Sequence, residues 1–205
     1  MKKTLLTATL ALLLAASCQE SQQASPTGKC HISGTIPQKY NDKRIFLVPL
    51  YGPKTAEYVD SVEIKDGRFE FTKDSLMMAK ILVDYHYRMG LQPLLVVVEP
   101  GEVSVTIDSI SHATGTPQND SLDKWKAITE RHNSELLAYR QAGRKAEADS
   151  MIQQHKLLTR RLAANMESGL LHDFLEELYP LTYKKQLPDG RIVTMDSDTH
   201  EQIGD

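Results

Sequence analysis

The chain has 205 residues, 40% of them hydrophobic and 25% charged, with a formal net charge of −3. That composition is ordinary for a folded chain and excludes global disorder. A mildly acidic surface offers no attraction to phosphate backbones, which sets nucleic acid aside as a partner.

At the N-terminus, Lys2 and Lys3 precede an apolar run from Leu5 to Ala16, closed by Ser17. A basic start, a short apolar stretch and small residues at its end form the pattern of a secretory signal peptide over residues 1–17. The run is too short for a spanning helix, which needs roughly 20 apolar residues. Cys18 follows directly, and Ala15-Ala16-Ser17-Cys18 resembles the lipobox of bacterial lipoproteins, although Ala15 stands where leucine is commonest. In such proteins the cysteine thiol is diacylated and the new N-terminus usually acylated, which supplies the two or more chains that stable anchoring requires. Ordinary signal cleavage would instead leave Cys18 free to pair with Cys30. The expectation is a membrane anchor through lipid on Cys18. Glu20 is the only acid soon after it, which places the protein by default on the outer membrane facing the periplasm. Loss of Lys2 and Lys3 with the leader takes the formal charge from −3 to −5.

Residues 18–28 read as the anchor cysteine and a flexible tether, because Gln19 to Thr27 is polar, contains Pro26 and lacks an apolar period. Residues 29–116 read as about seven short strands, a small antiparallel β-sandwich. Asp66-Gly67 predicts a hairpin in which Lys65 faces Arg68, Ile64 faces Phe69, Glu63 faces Glu70 and Val62 faces Phe71. A second hairpin is expected around Glu99-Pro100-Gly101-Glu102, joining Leu94–Val98 to the alternating Val103, Val105 and Ile107. Leu94 to Val98 and Ile45 to Val48 are continuously apolar, as strands covered on both faces would be. Lys80–Tyr85 and His31–Ile36 complete the set.

Residues 117–180 change to a helical period. Asn119 or Asp120 is the expected N-cap, followed by the stripe Leu122, Trp125, Ile128, His132, Leu136 and Tyr139. A turn at Gly143 separates it from a second stripe of Met151, Ile152, His155, Leu158, Leu162 and Met166. Ser168-Gly169 then introduces a short third helix, Leu170 to Tyr179, ended by Pro180. Residues 181–205 are polar and expected to be loosely ordered.

Chemistry is harder to place. If Cys18 carries lipid, Cys30 is the only thiol left, and the absence of a Cys-x-x-Cys pair removes dithiol redox chemistry. Among seven histidines no pair has the i, i+4 spacing or the cysteine clustering of zinc sites, so no metal is expected. His132 and His155 fit a helix–helix seam, and Tyr85-His86-Tyr87 fits a strand surface better than a recognition patch. There is no Gly-x-Ser-x-Gly elbow or phosphate loop. No catalytic residue and no cofactor is expected. The remaining candidate is a docking surface on the third helix built from Leu171, Phe174 and Leu178, because that helix is densely apolar.

Gly34-Thr35-Ile36, Ile45-Phe46-Leu47, Asp60-Ser61-Val62, Asp66-Gly67-Arg68-Phe69-Glu70-Phe71, Glu99-Pro100-Gly101 and Gly115-Thr116-Pro117-Gln118-Asn119-Asp120 occur together and in order. That series resembles the domain of unknown function 4369, found in envelope lipoproteins ahead of a thioredoxin-like domain of the AhpC/TSA type. The resemblance implies a β-sandwich followed by helices, in a thiol–disulfide context, and carries over no catalytic residue. Only 25 residues follow Pro180, against on the order of 100 for a thioredoxin-like domain, so the expectation is the accessory module standing alone. The functional expectation is a non-enzymatic lipoprotein module binding a protein or ligand. The alternative is an accessory component of an oxidoreductase system whose catalytic thioredoxin-like chain is separate. Cys18→Ser is predicted to move the protein from the membrane fraction to the soluble periplasm. Wild-type protein found soluble, with an unmodified N-terminal region by mass spectrometry, would contradict it.

Overall fold

The structure, a computed structural model, describes residues 28–83 and 91–203. The leader, Cys18 with its tether, and Tyr85-His86-Tyr87 lie outside the described residues.

Cys30, Ile32 and Gly34 alternate with polar neighbours, and the segment forms β1 (Cys30–Thr35) with Cys30 and Ile32 buried. Five strands follow: β2 (Arg44–Pro49), β3 (Asp60–Glu63), β4 (Arg68–Lys73), β5 (Met77–Val83) and β6 (Leu94–Val98). Next come β7 (Gly101–Thr106) and the short β8 (His112–Thr114). Three helices succeed them, α1 (Pro117–Gln141), α2 (Lys145–Ala164) and α3 (Leu170–Leu178). A final hairpin is made by β9 (Thr182–Gln186) and β10 (Ile192–Asp196). The protein is thus β-rich with three helices, and the described residues hold ten strands rather than about seven.

Two four-stranded sheets carry the first eight strands, in the orders β4-β1-β7-β8 and β3-β2-β5-β6. The main core draws on both: Ile32, Phe69, Phe71, Val103 and Val105 from the first, Ile45, Leu47, Ile81, Leu94, Val96 and Val98 from the second. A smaller core joins Met78 and Val97 of the second sheet to Leu122, Ala163, Leu171 and Leu175 of the helices. Strand β6 therefore feeds both, which is why its sequence is continuously apolar.

Both expected hairpins are corrected. The Asp66-Gly67 turn forms with both residues at positive φ, and Lys65 and Arg68 exchange N–H···O bonds of 3.0 and 2.9 Å. Pairing stops there. β3 runs antiparallel to β2, and β4 antiparallel to β1 in the other sheet. The turn itself is tied to the Ile36–Asn41 corner. Gly67 N–H donates to Asn41 Oδ1 at 2.8 Å and its carbonyl accepts from Ile36 N–H at 2.9 Å. Ile64 bonds to the β2 side through Lys43 O, and Phe69 pairs with Gly34 of β1, so the two residues enter different sheets instead of extending the ladder. Likewise Glu99-Pro100 links the sheets instead of closing a hairpin: β6 pairs with β5, and β7 runs parallel to β1. That parallel pair makes the first sheet mixed rather than antiparallel.

At α1 the cap moves upstream. Thr116 precedes the helix and Pro117 occupies its first turn, where a missing N–H is harmless. The expected loose tail is also corrected, because Val193 and Met195 alternate inward on β10 and Asp198 forms ion pairs with Lys156 and Arg160 of α2.

Gly34 pairs with Phe69 across the sheet, and a Cβ there would stand 2.0 Å from that ring. Gly34→Ala is predicted to destabilise the fold by about 1–3 kcal/mol through overpacking, read as a lower midpoint in urea with an unchanged slope.

Candidate functional site

The third helix is the element on which the docking candidate rests. Leu170 to Leu178 form it with Leu171 and Leu175 fully buried in the helical core. Its first turn is held from α1, where Gln118 Oε1 accepts Leu171 N–H at 2.9 Å. Gln118 is itself oriented by Glu99, whose carboxylate accepts its backbone and side-chain N–H groups at 3.0 and 2.7 Å.

The expected docking triad is divided by this arrangement. Leu171 is 0% exposed and belongs to the interior, a correction that follows from the i, i+4 spacing that pairs it with Leu175 on the buried face. Phe174 is half-buried and meets Trp125 edge-to-face, centroids 5.9 Å apart. Leu178 remains 41% exposed. Phe174 and Leu178 join Leu50, Tyr51 and Glu177 to line an open groove of about 350 Å³ between α3 and the loop after β2. Tyr51 donates its hydroxyl to Glu177 Oε2 at 2.5 Å. Partial desolvation of the hydroxyl first, and then the Glu177 hydrogen bond and charge, push the Tyr51 phenol up to about 12. The groove is thus apolar on its floor and carries one carboxylate at its edge. Sequence reasoning found the α3 side of it and missed Leu50 and Tyr51, since nothing local predicts which loop lies across from a helix.

A second depression of about 270 Å³ lies among Arg160, Ala163, Glu176, Tyr179 and Leu181. Arg160 is committed there, donating to Tyr179 O, Pro180 O and Asp198. It acts as a strut for the chain leaving α3.

Other titratable groups are structural by environment. Cys30 is 2% exposed, and burial raises its thiol pKa, which disfavours the reactive thiolate. His132 and His155 stack in the α1–α2 seam, as their places on the helical stripes predict, with centroids 4.3 Å apart. Burial lowers both pKa values, and the neighbouring His132 lowers His155 further. Among the described residues no three His, Cys, Asp or Glu side chains converge as a metal site. No described helix is long and apolar enough to cross a membrane.

Family comparison agrees with the ordered motifs. Residues 30–122 are a DUF4369 domain, a domain of unknown function. Its bounds run from β1 into the first turns of α1, so Asn119 and Gln118 lie inside it and most of the helical layer lies beyond. No curated protein and no solved structure shows significant similarity to the chain. The groove straddles the boundary of the DUF4369 domain: Leu50 and Tyr51 fall within it, Phe174, Glu177 and Leu178 after it.

Leu171→Ala is predicted to cost about 2–5 kcal/mol, the range for a buried leucine that leaves a cavity. Chemical denaturation checks it, and a stability within 0.5 kcal/mol of wild type, about the effect of a surface change, would return Leu171 to the surface.

Proposed function

We propose that this protein is a non-enzymatic envelope lipoprotein, anchored by lipid on Cys18 to the outer membrane and facing the periplasm. Its role is to dock a protein partner in the groove formed by Leu50, Tyr51, Phe174, Glu177 and Leu178. The observation that carries the reading is the groove itself: Tyr51 and Leu178, 51% and 41% exposed, lie together beside half-buried Phe174. Large exposed apolar side chains gathered in one concavity are a feature of protein interfaces. A ring and a leucine at a polar edge fit an apolar anchor from a partner.

In this reading the two four-stranded sheets stack as a β-sandwich, supported by the single core to which both contribute. The sandwich is the rigid body and the helices carry the contact surface. Buried Cys30 supports the view that any thiol chemistry associated with the module belongs to another chain.

The test is in vivo crosslinking of the full chain with Tyr51→Ser and Leu178→Ser combined. Neither side chain is buried, so thermal stability is expected to stay within a few degrees of wild type while specific crosslinked products disappear. Crosslinks that survive in a folded double variant would refute the groove. A partner bearing Cys-x-x-Cys would make the module an accessory of a thiol–disulfide system, whereas a partner without it would leave a general docking role.

A further inference from the structure

Five rings run in contact from the outside of the α1–α2 hairpin to the docking groove. His132 on α1 stacks on His155 of α2 at 4.3 Å between centroids, and the planes are 23° apart. His155 lies 6.5 Å from Trp125 and 6.0 Å from Tyr179, and Trp125 meets Phe174 of α3 at 5.9 Å. His155 is the hub. It is 6% exposed, with Nε2 sharing a hydrogen bond with Thr129 Oγ1 at 3.0 Å and Nδ1 with the Tyr179 hydroxyl at 3.4 Å. Tyr179 is the residue at which α3 ends.

Two imidazoles in van der Waals contact inside a helix seam tolerate only one charge state well. Protonating both rings sets two cations in contact, and a proton on His155 alone places a cation in a site nearly closed to water. The facing groups do little to offset it. On α1, Arg131 and Glu135 line the same depression, with opposite charges, and Glu135 acts on His132 alone. On α2, Gln154 lines it as a neutral group, while Lys156 and Arg160 are held by Asp198. From the end of α3 the facing group is the Tyr179 phenol.

We propose that the His132–His155 pair is an acid-sensitive latch: neutral, it fastens the end of α3 to the α1–α2 hairpin, and protonated, it releases that end. Burial lowers both histidines from their ordinary value, so the latched state binds fewer protons than the unlatched one. The contribution is fully present above the ordinary histidine pKa of about 6.5 and is lost as the pH falls below it. Release loosens Phe174 and Leu178 together, although the latch is independent of whether the groove takes a partner.

Trp125 is the single tryptophan of the chain and touches both His155 and Phe174, which makes its emission a reporter of the latch. The experiment follows Trp125 emission and the hydrogen exchange of the α3 amides in the full mature chain from about pH 7.5 to about pH 5. Expected is a single transition with a midpoint below about 6.5, with α3 amides opening about tenfold more readily at the acid end once intrinsic rates are divided out. In His155→Gln, which cannot titrate, both changes are expected to vanish. His132→Gln removes the like-charge neighbour at a half-buried position and is expected to shift the midpoint upward, which decides the matter should His155→Gln not fold. Emission and α3 exchange that do not change with pH in the wild type, or an unaltered transition in both variants, would overturn the latch.

Discussion

The helical layer depends on one side chain, Asn119. It is 0% exposed and makes three hydrogen bonds. Its Oδ1 accepts Val97 N–H at 2.9 Å, its Nδ2 donates to Val97 O at 2.8 Å, and the same Nδ2 donates to Thr116 Oγ1 at 2.8 Å. Val97 lies on β6, the edge of its sheet. A carboxamide presents the same donor and acceptor pair as a peptide group, so Asn119 takes the place that one residue of a neighbouring strand would fill. The edge is satisfied at its middle, and the first turn of α1 is fixed against it.

Much of the architecture follows from that attachment. With α1 seated on β6, Leu122 reaches Val97 and Met78, and the second sheet gains a covered outer face. Gln118, one residue before Asn119, links Glu99 at the end of β6 to the first turn of α3. Two adjacent residues thus tie two helices to one strand. Asp120, the next residue, accepts Gly115 N–H at 2.8 Å and closes the turn that delivers the chain from β8. Removing the Asn119 carboxamide leaves the buried Val97 N–H and C=O on that edge unsatisfied, a penalty of about 1–3 kcal/mol for each such group. Asp60 at the start of β3 and Lys73 at the end of β4 pair at 2.7 Å and join the two sheets at the strand ends away from the Asp66-Gly67 turn.

Strand existence was legible in the sequence because the apolar periods are clear, and the two-sided run Leu94–Val98 named its own environment. Partnering was not legible. Ile64 and Phe69 lie on either side of a two-residue turn that suits a hairpin, yet both sit in the main core while their strands belong to different sheets. Alternation specifies which face is buried and is silent about which edge is paired. Asn119 looked like an N-cap because asparagine commonly serves there; its bond to a strand 22 residues away has no local signal. The β9–β10 hairpin was missed because only Val193 and Met195 carry its inward face. Of the proposed docking surface, α3 was found from its apolar density, but Leu171 was separable from Leu178 only once the neighbours of each were known.

A sheet edge, capped by a side chain, positions a helix whose exposed end carries the proposed docking groove. The central claim is that Asn119 holds the helices on β6. Native-state hydrogen exchange at Val97 N–H in the wild type and in Asn119→Ala tests it most directly. The account predicts that this amide is strongly protected in the wild type. It predicts that the variant loses that protection together with amides of α1 and α3, while β1, β4 and β7 keep theirs. Equal protection of Val97 and of the helices in both proteins would contradict it.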